Sequence, residues 1–515
     1  MRSPTLMSST FTRAAFRRRP SPAALASART PAATPVAAET LEETGYERRN
    51  WQERAIGLAP KLLALYAFLL FSRLFEVSQL IGLGNIYLML IVSAVSLLVI
   101  FLGGDFLRAA ATPAGLLFLV FTFWAALIMP FSSWRSESLD VFTSIWIKSV
   151  AAFFIVCGLS RSMEHTRKVF IALGWGALVS LALVILSGHL NSDRFQSFGS
   201  MGNANEVAFH LMLGLPFIVF LMNRVKFFWK IPLAAASLLS IVYALKTVSR
   251  AGIIIAAALF LVSFFQVTFA NRLKILFVVA VGAIIGFLML DQASLSRYLT
   301  LVNPDLATDE AARSARESGD ARKQKLEQGI ELTFLHPIAG VGMGDFIPAS
   351  ADLAVSKGEK PMWIASHNSY VQISSETGFT GFFLLFGIFV TCYIRLIRLG
   401  RAARRLGLQE IRAMSLCALL ALTALSIHFF FDAIAWDYYL PMIAGLSMAL
   451  VFSAQPQIAK AEESAARGEI AEFAMVQTIS TGTRDNSPSQ PASAPTPAPP
   501  RPRNPYRLGR RRSSN

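Results

Sequence analysis

The chain has 515 residues, 54% of them apolar and only 16% charged, with a formal net charge of +16. A soluble chain of this length carries about 25% charged residues and divides into domains with polar surfaces, so that class is excluded. The apolar residues gather instead in blocks of about 20, the length at which a helix crosses a bilayer. The expected class is an all-α polytopic membrane protein.

Residues 1–57 are rich in Ala, Ser, Pro and Arg and include Arg17-Arg18-Arg19-Pro20, with no apolar run before a cleavage site. They read as a disordered basic cytoplasmic tail rather than a secretory signal. Residues 58–453 hold twelve apolar segments and form the expected transmembrane domain. Residues 454–515 turn Pro-rich and end in Arg510-Arg511-Arg512, a second disordered cytoplasmic tail. Each tail carries nine basic against five acidic residues, which together supply half of the net charge. Beside a membrane domain such tails face anionic lipid, and no nucleic-acid partner is expected.

Charge asymmetry orients the segments. With the N-terminus inside, the short inner loops hold fifteen Lys and Arg, and the short outer loops hold only Arg135, Arg194, Lys246 and Arg250. The positive-inside rule then puts both termini in the cytoplasm. Between the ninth and tenth segments lies one large outer loop, 292–366, long enough to be functional. Within it, Leu326, Ile330 and Phe334 repeat at i+4 and predict an amphipathic helix over Asp320–Phe334 lying along the membrane face. The three cysteines, Cys157, Cys392 and Cys417, sit in apolar segments and read as small buried hydrophobes.

Basic residues kept on the outer side resist the topology signal, which marks Arg194 and Arg250 as candidates for holding an anion. His367 stands at the outer mouth of the tenth segment, where an imidazole titrating near neutrality suits a general base. A helix there puts His367, Tyr370 and Ser374 on one face, with Glu376 about 180° away unless Gly378 bends the chain. Arg73 and Glu76 are one turn apart and expected to pair structurally, Lys148 lies mid-segment, and Asp432 and Asp437 are expected to be solvated at the last outer turn. Gly340, Gly342 and Gly344 lack the full phosphate-loop fingerprint and read as a tight turn. No D-x-D pair or His spacing suggests a metal or another cofactor.

Several of these pieces together resemble the O-antigen ligase and polymerase superfamily. They are Gly202-Asn203-Ala204-Asn205-Glu206-Val207-Ala208, Ser249-Arg250-Ala251-Gly252, the run from Pro337 to Phe346, His367-Asn368-Ser369-Tyr370 and Glu376-Thr377-Gly378-Phe379-Thr380-Gly381. The resemblance spans roughly residues 60–450. It implies a C-type-glycosyltransferase-like membrane fold in a bacterial inner membrane, with the active site periplasmic and no metal needed. It also implies transfer of a glycan from undecaprenyl diphosphate to a lipid A-core sugar (ligase), or to another repeat unit (polymerase). On that resemblance His367 serves the acceptor as catalytic base, and Arg194 and Arg250, with Arg322 on the loop helix, hold the donor diphosphate. Tyr370, Glu376 and Asn205 are then possible sugar or acceptor contacts. Protein O-oligosaccharyltransferases share the resemblance, as do proteins once proposed as bicarbonate transporters, for which polar residues near the bilayer midplane are expected.

Overall fold

The computed structural model describes residues 57–74, 76–77, 87–191, 194–267, 269–288 and 309–481. Both far termini and residues 289–308 of the large loop, with the expectations made for them, lie outside the described residues. Two compact units are present, Met1–Ile458 and Ala459–Asn515. In the second, the described part is helical and carries an Arg467–Glu463 pair at 2.5 Å, one turn apart.

The first unit is helical as expected. Helices α1 (Gly57–Ser72), α2 (Leu88–Leu102), the short α3 (Asp105–Ala110), α4 (Pro113–Ile128), α5 (Arg135–Leu159) and α6 (Met163–Ser187) come first. A two-stranded antiparallel hairpin of β1 (His189–Asn191) and β2 (Arg194–Gln196) follows, an addition to the all-α expectation. Next are α7 (Ala204–Met222), α8 (Phe227–Lys246), α9 (Arg250–Gln266) and α10 (Phe269–Leu288). The loop region contributes α11 (Asp309–Leu335) and α12 (Phe346–Ser356), and α13 (Ser369–Arg405), α14 (Gln409–His428) and α15 (Tyr439–Thr481) close the chain. Each of the twelve apolar segments corresponds to one of these helices, and among the described residues eight helices are long and apolar enough to cross a membrane.

The bundle is built around α7, which packs on α6, α8, α9 and α14. In its apolar stretch 78% of residues are buried, against 28% for α8, whose outer face is free to meet lipid. At one end of the bundle, short carboxylates gather the basic residues: Asp105 holds Arg161 and, at 3.4 Å, Arg108, while Glu410 holds Arg224 and, at 3.6 Å, Arg167. The opposite end, where α13 begins, carries His367 and the large loop.

Helix α13 is broken where it matters for that end. Gly378 has φ 69°, ψ −178°, a conformation essentially reserved for glycine. The break releases the carbonyls of Ser375 and Glu376, which accept instead from the amides of Val341 (2.8 Å) and Gly342 (3.0 Å), while the Phe379 amide turns to Pro337 O (2.8 Å). A kinked helix in a membrane must have its freed backbone groups met by protein, and the Pro337–Gly342 segment does this. Gly340 fits because a Cβ there would lie 2.3 Å from the Glu376 carbonyl carbon. The tight-turn expectation for the glycine run accords with this, since its amides serve the kink rather than forming an open anion nest.

The loop helix α11 runs longer than the predicted Asp320–Phe334 and docks by a different face. Lys325, Gln328 and Leu332 are buried against α12 and α13, while Ile330 and Phe334 point outward. Phe334 meets Phe379 at 5.7 Å, and Phe379 meets Phe383 at 6.3 Å on the outward side of α13. The apolar i+4 stripe is thus continuous with the outward side of α13.

Candidate functional site

Two elements that are distant in sequence are tied together by one buried amide. Asn203 caps α7 by accepting from the Asn205 amide (3.0 Å), and Ser249 caps α9 by accepting from Gly252 N–H (3.2 Å). Asn205, 4% exposed, accepts through Oδ1 from Arg194 Nη2 (3.0 Å) and from the Ser249 hydroxyl (2.8 Å). Arg194 Nε also donates to Thr247 O (3.3 Å). Three residues later Arg250 opens α9 with its side chain exposed. The turn between is sharp enough to hold Val248 at φ 50°, uncommon for a β-branched residue. The β-hairpin and the start of α7 thereby hold Arg194 against the α8–α9 turn that leads into Arg250. Asn205, expected as a sugar contact, has its oxygen committed to orienting Arg194.

His367 lies just outside α13 at φ 50°, a left-handed conformation for a non-glycine residue. Such strain is retained where the surroundings enforce it and is frequent at functional sites. Here the enforcement is visible on the C-terminal side. Asn368 caps α13 through Oδ1 to Tyr370 N (3.0 Å) and Val371 N (3.1 Å), and Ser369 N–H donates to Phe429 O (2.7 Å). The Ser369 hydroxyl donates to Asp432 O (2.7 Å) and accepts from Ile434 N–H (2.9 Å). The α14–α15 turn is thus stitched beside His367. The Nδ1 of His367 and the Oδ2 of Asp432 are both buried with no hydrogen-bond partner among the described residues. His428 Nε2 is 3.7 Å from Asp432 Oδ2, too long for a hydrogen bond.

Burial, and secondarily the Arg322 guanidinium, hold the His367 imidazole below the usual histidine range, with Asp432 opposing. Burial raises Asp432, against the pull of the Ala433 amide, His367 and Arg322. Arg322 is itself lowered by burial and by Arg250, with Asp432 opposing. An arginine stays protonated despite such a shift. Arg250, Arg322, His367 and Asp432 therefore share one field: two fixed cations, a neutral imidazole and a buried carboxyl group.

Other candidates are placed elsewhere. Since His367 precedes the helix, helical phase does not relate it to Tyr370, Ser374 or Glu376. Tyr370 donates to Ser426 O (3.0 Å) and packs on Phe430, while Ser374 pairs with the Thr333 hydroxyl (2.9 Å). Glu376 is 2% exposed and accepts from Trp436 Nε1 (2.8 Å) and from the Gly344 amide. Gly378 does bend the chain, but past Glu376, so the bend does not carry its carboxylate toward His367. Lys148 is exposed on α5, away from this group.

Asp432 corrects an expectation: it is 7% exposed rather than solvated. Burial, then Asp432, pushes the Asp437 carboxyl up to about 6, with Arg73 opposing. Neither position stands out in sequence, because a carboxylate in a short turn is normally hydrated, and only the stitching of that turn to α13 buries it. The spacing of Asp432 four residues after His428 is the single local hint.

A family model described as O-antigen ligase matches residues 235–386, from the middle of α8 to the middle of α13. The match supports the O-antigen ligase and polymerase superfamily for this chain, and with it a ligase- or polymerase-type function. Arg250, Arg322, His367, Tyr370 and Glu376 fall inside the matched segment, and Arg194 and Asn205 precede it. No curated protein matches the chain.

Proposed function

With that superfamily as premise, we propose that the chain is an O-antigen ligase-type enzyme of the bacterial inner membrane. It passes a glycan from undecaprenyl diphosphate to a lipid A-core hydroxyl at the periplasmic face. The observation that supports this reading is Arg194 bonded to the turn that leads into Arg250, with Arg322 close enough to bias both Asp432 and a strained His367, at the end of the bundle where α13 begins.

The chemistry asks for those groups. As the acceptor oxygen bonds to the anomeric carbon, the bond from that carbon to the diphosphate oxygen breaks, and undecaprenyl diphosphate leaves with about two negative charges. Cations fixed before the reaction stabilise that developing charge without reorganising. Arg194 is held by Asn205 and Thr247, and Arg250 opens α9 with its side chain exposed toward a ligand. The acceptor hydroxyl loses its proton during attack, and a neutral imidazole at His367 accepts it. Holding His367 below the usual range keeps it in the accepting form at neutral pH.

The test is a lipopolysaccharide gel with parallel analysis of the lipid carrier, on a deletion strain complemented with wild type or His367→Ala. Bare core with long glycan accumulating on the carrier is expected for the deletion and for the variant. Core bearing a single repeat unit makes the enzyme a polymerase instead. Full complementation by a normally expressed His367→Ala removes the base assignment, and an unchanged profile in the deletion removes the ligase reading.

A further inference from the structure

A second polar group stands at the same end of the bundle, and the steps above do not use it. Its floor is aromatic. In α7, Phe209 stacks on His428 at 4.0 Å and meets Tyr439 at 5.0 Å. His210 lies 4.6 Å from the Phe71 ring and bonds to Phe71 O (3.1 Å) and the Tyr439 hydroxyl (3.3 Å). One turn nearer the helix start, on the same face, comes Glu206. The elements touched by Phe209 and His210 each carry a charged residue just beyond the contact: Arg73 after Phe71, Asp432 after His428 and Asp437 before Tyr439. Four chain segments thereby bring Glu206, Arg73, Asp432 and Asp437 to one level above this floor.

Two of these side chains have unused capacity. Arg73 interrupts the chain after α1 at φ 57° and is 3% exposed. Its Nε (3.0 Å) and Nη2 (2.7 Å) both donate to Glu76 Oε1, yet buried Nη1 has no partner among the described residues. A purely structural pair accounts for the first two bonds and leaves the third donor unexplained, although an unmet buried donor is costly. Glu206 is half-buried at the third position of α7, from which a glutamate commonly reaches back to the cap amide. No described group donates to its carboxylate.

We propose that Glu206 and Arg73, with Asp437 beside them, form the subsite for a hydroxyl-rich acceptor saccharide on the Asp432 side of His367. This rests on the glycan-transfer reading above and adds where the acceptor lies. A saccharide offers hydroxyls that both donate and accept. Carboxyl oxygens accept from the saccharide hydroxyls, and the Arg73 guanidinium donates in return through a charge-assisted bond, stronger than a neutral pair. Among the described residues no three carboxylate or imidazole groups stand close enough to hold one metal ion, so the acids suit separate hydroxyls along an extended ligand. The arginines at Arg194, Arg250 and Arg322 suit the anionic donor, and the two halves meet at His367, where the proton is taken.

The experiment uses the full chain in lipid nanodiscs, an undecaprenyl-diphosphate-linked oligosaccharide as donor and a core oligosaccharide as acceptor. Initial rates are measured against each substrate for wild type, Glu206→Gln and Glu206→Ala. Loss of a hydrogen bond to the saccharide raises the acceptor KM of Glu206→Ala about tenfold. Glu206→Gln falls between, donor KM is unchanged, and the melting temperature moves little, because among the described residues no group donates a hydrogen bond to the Glu206 carboxyl. Unchanged acceptor KM in both variants, or an equal rise in donor KM, overturns the subsite. A wild type that transfers no glycan overturns the glycan-transfer reading itself. Calorimetric binding of the same acceptor to wild type and Glu206→Ala then decides the subsite alone, with equal binding, or none, refuting it.

Discussion

Replacing Gly378 by alanine tests whether the kink in α13 supports the whole His367 end. A Cβ at this position would lie 2.1 Å from Ile338 O and 2.8 Å from Pro337 O. Its backbone sits where non-glycine residues cost about 1–3 kcal/mol. If the chain relieves the clash by moving the Pro337–Gly342 segment, the bonds from Phe379, Val341 and Gly342 are strained or lost, each worth about 1 kcal/mol. The expected penalty is about 3–5 kcal/mol. That segment connects α11, which carries Arg322, to α12 and the approach to His367, so transfer activity should fall along with stability. The assay is thermal unfolding of the purified protein in nanodiscs beside initial-rate measurement. Gly378→Ala with wild-type melting and full activity would refute the account, because it would mean that α13 is not held to the loop through this break.

Three further outcomes follow from named contacts. Asn205→Ala removes the acceptor that orients Arg194 and Ser249, and donor KM should rise about tenfold, measured with acceptor saturating; an unchanged donor KM shows that Arg194 needs no such support. The acid limb of kcat/KM should lie below pH 6.5, because burial and Arg322 lower His367 and it must be protonated before it stops accepting protons. Arg322→Gln should move that limb upward by less than burial displaces it, and a downward move contradicts the assignment. Lys325 is fully buried and, among the described residues, has only the Ser350 hydroxyl (2.8 Å) as hydrogen-bond partner. Replacing a buried charge by an apolar side chain of similar length is often neutral or stabilising, so Lys325→Met should melt at or above the wild-type temperature, and a large drop shows that the ammonium is needed.

What sequence made legible follows from how local each signal is. Apolar length sets helix formation in a bilayer whatever the neighbours are, because every backbone bond is made inside the segment. All twelve apolar segments accordingly correspond to helices. Arg194 and Arg250 stood out because they opposed a charge rule that acts loop by loop, and the cysteines proved buried, as their apolar context implied. The stripe at Leu326, Ile330 and Phe334 was legible as amphipathic, but its sidedness was not. In water an apolar face turns inward, whereas beside a bilayer it can stay outward while Lys325 and Gln328 take the protein side.

By itself, then, the sequence determined the class, the helices and several of the charged candidates, since composition and spacing act over a turn or a span. Only tertiary structure decided which of those candidates meet. His367 came off the helix whose phase had been used to judge it, Glu376 turned inward to Trp436, and Asp432 became buried when Ser369 stitched the last turn to α13. Glu206 gained its setting from residues more than a hundred positions away. The physical reason is common to all four: a side chain's neighbours across a bundle depend on helix rotation and packing, which period and propensity along one segment do not encode.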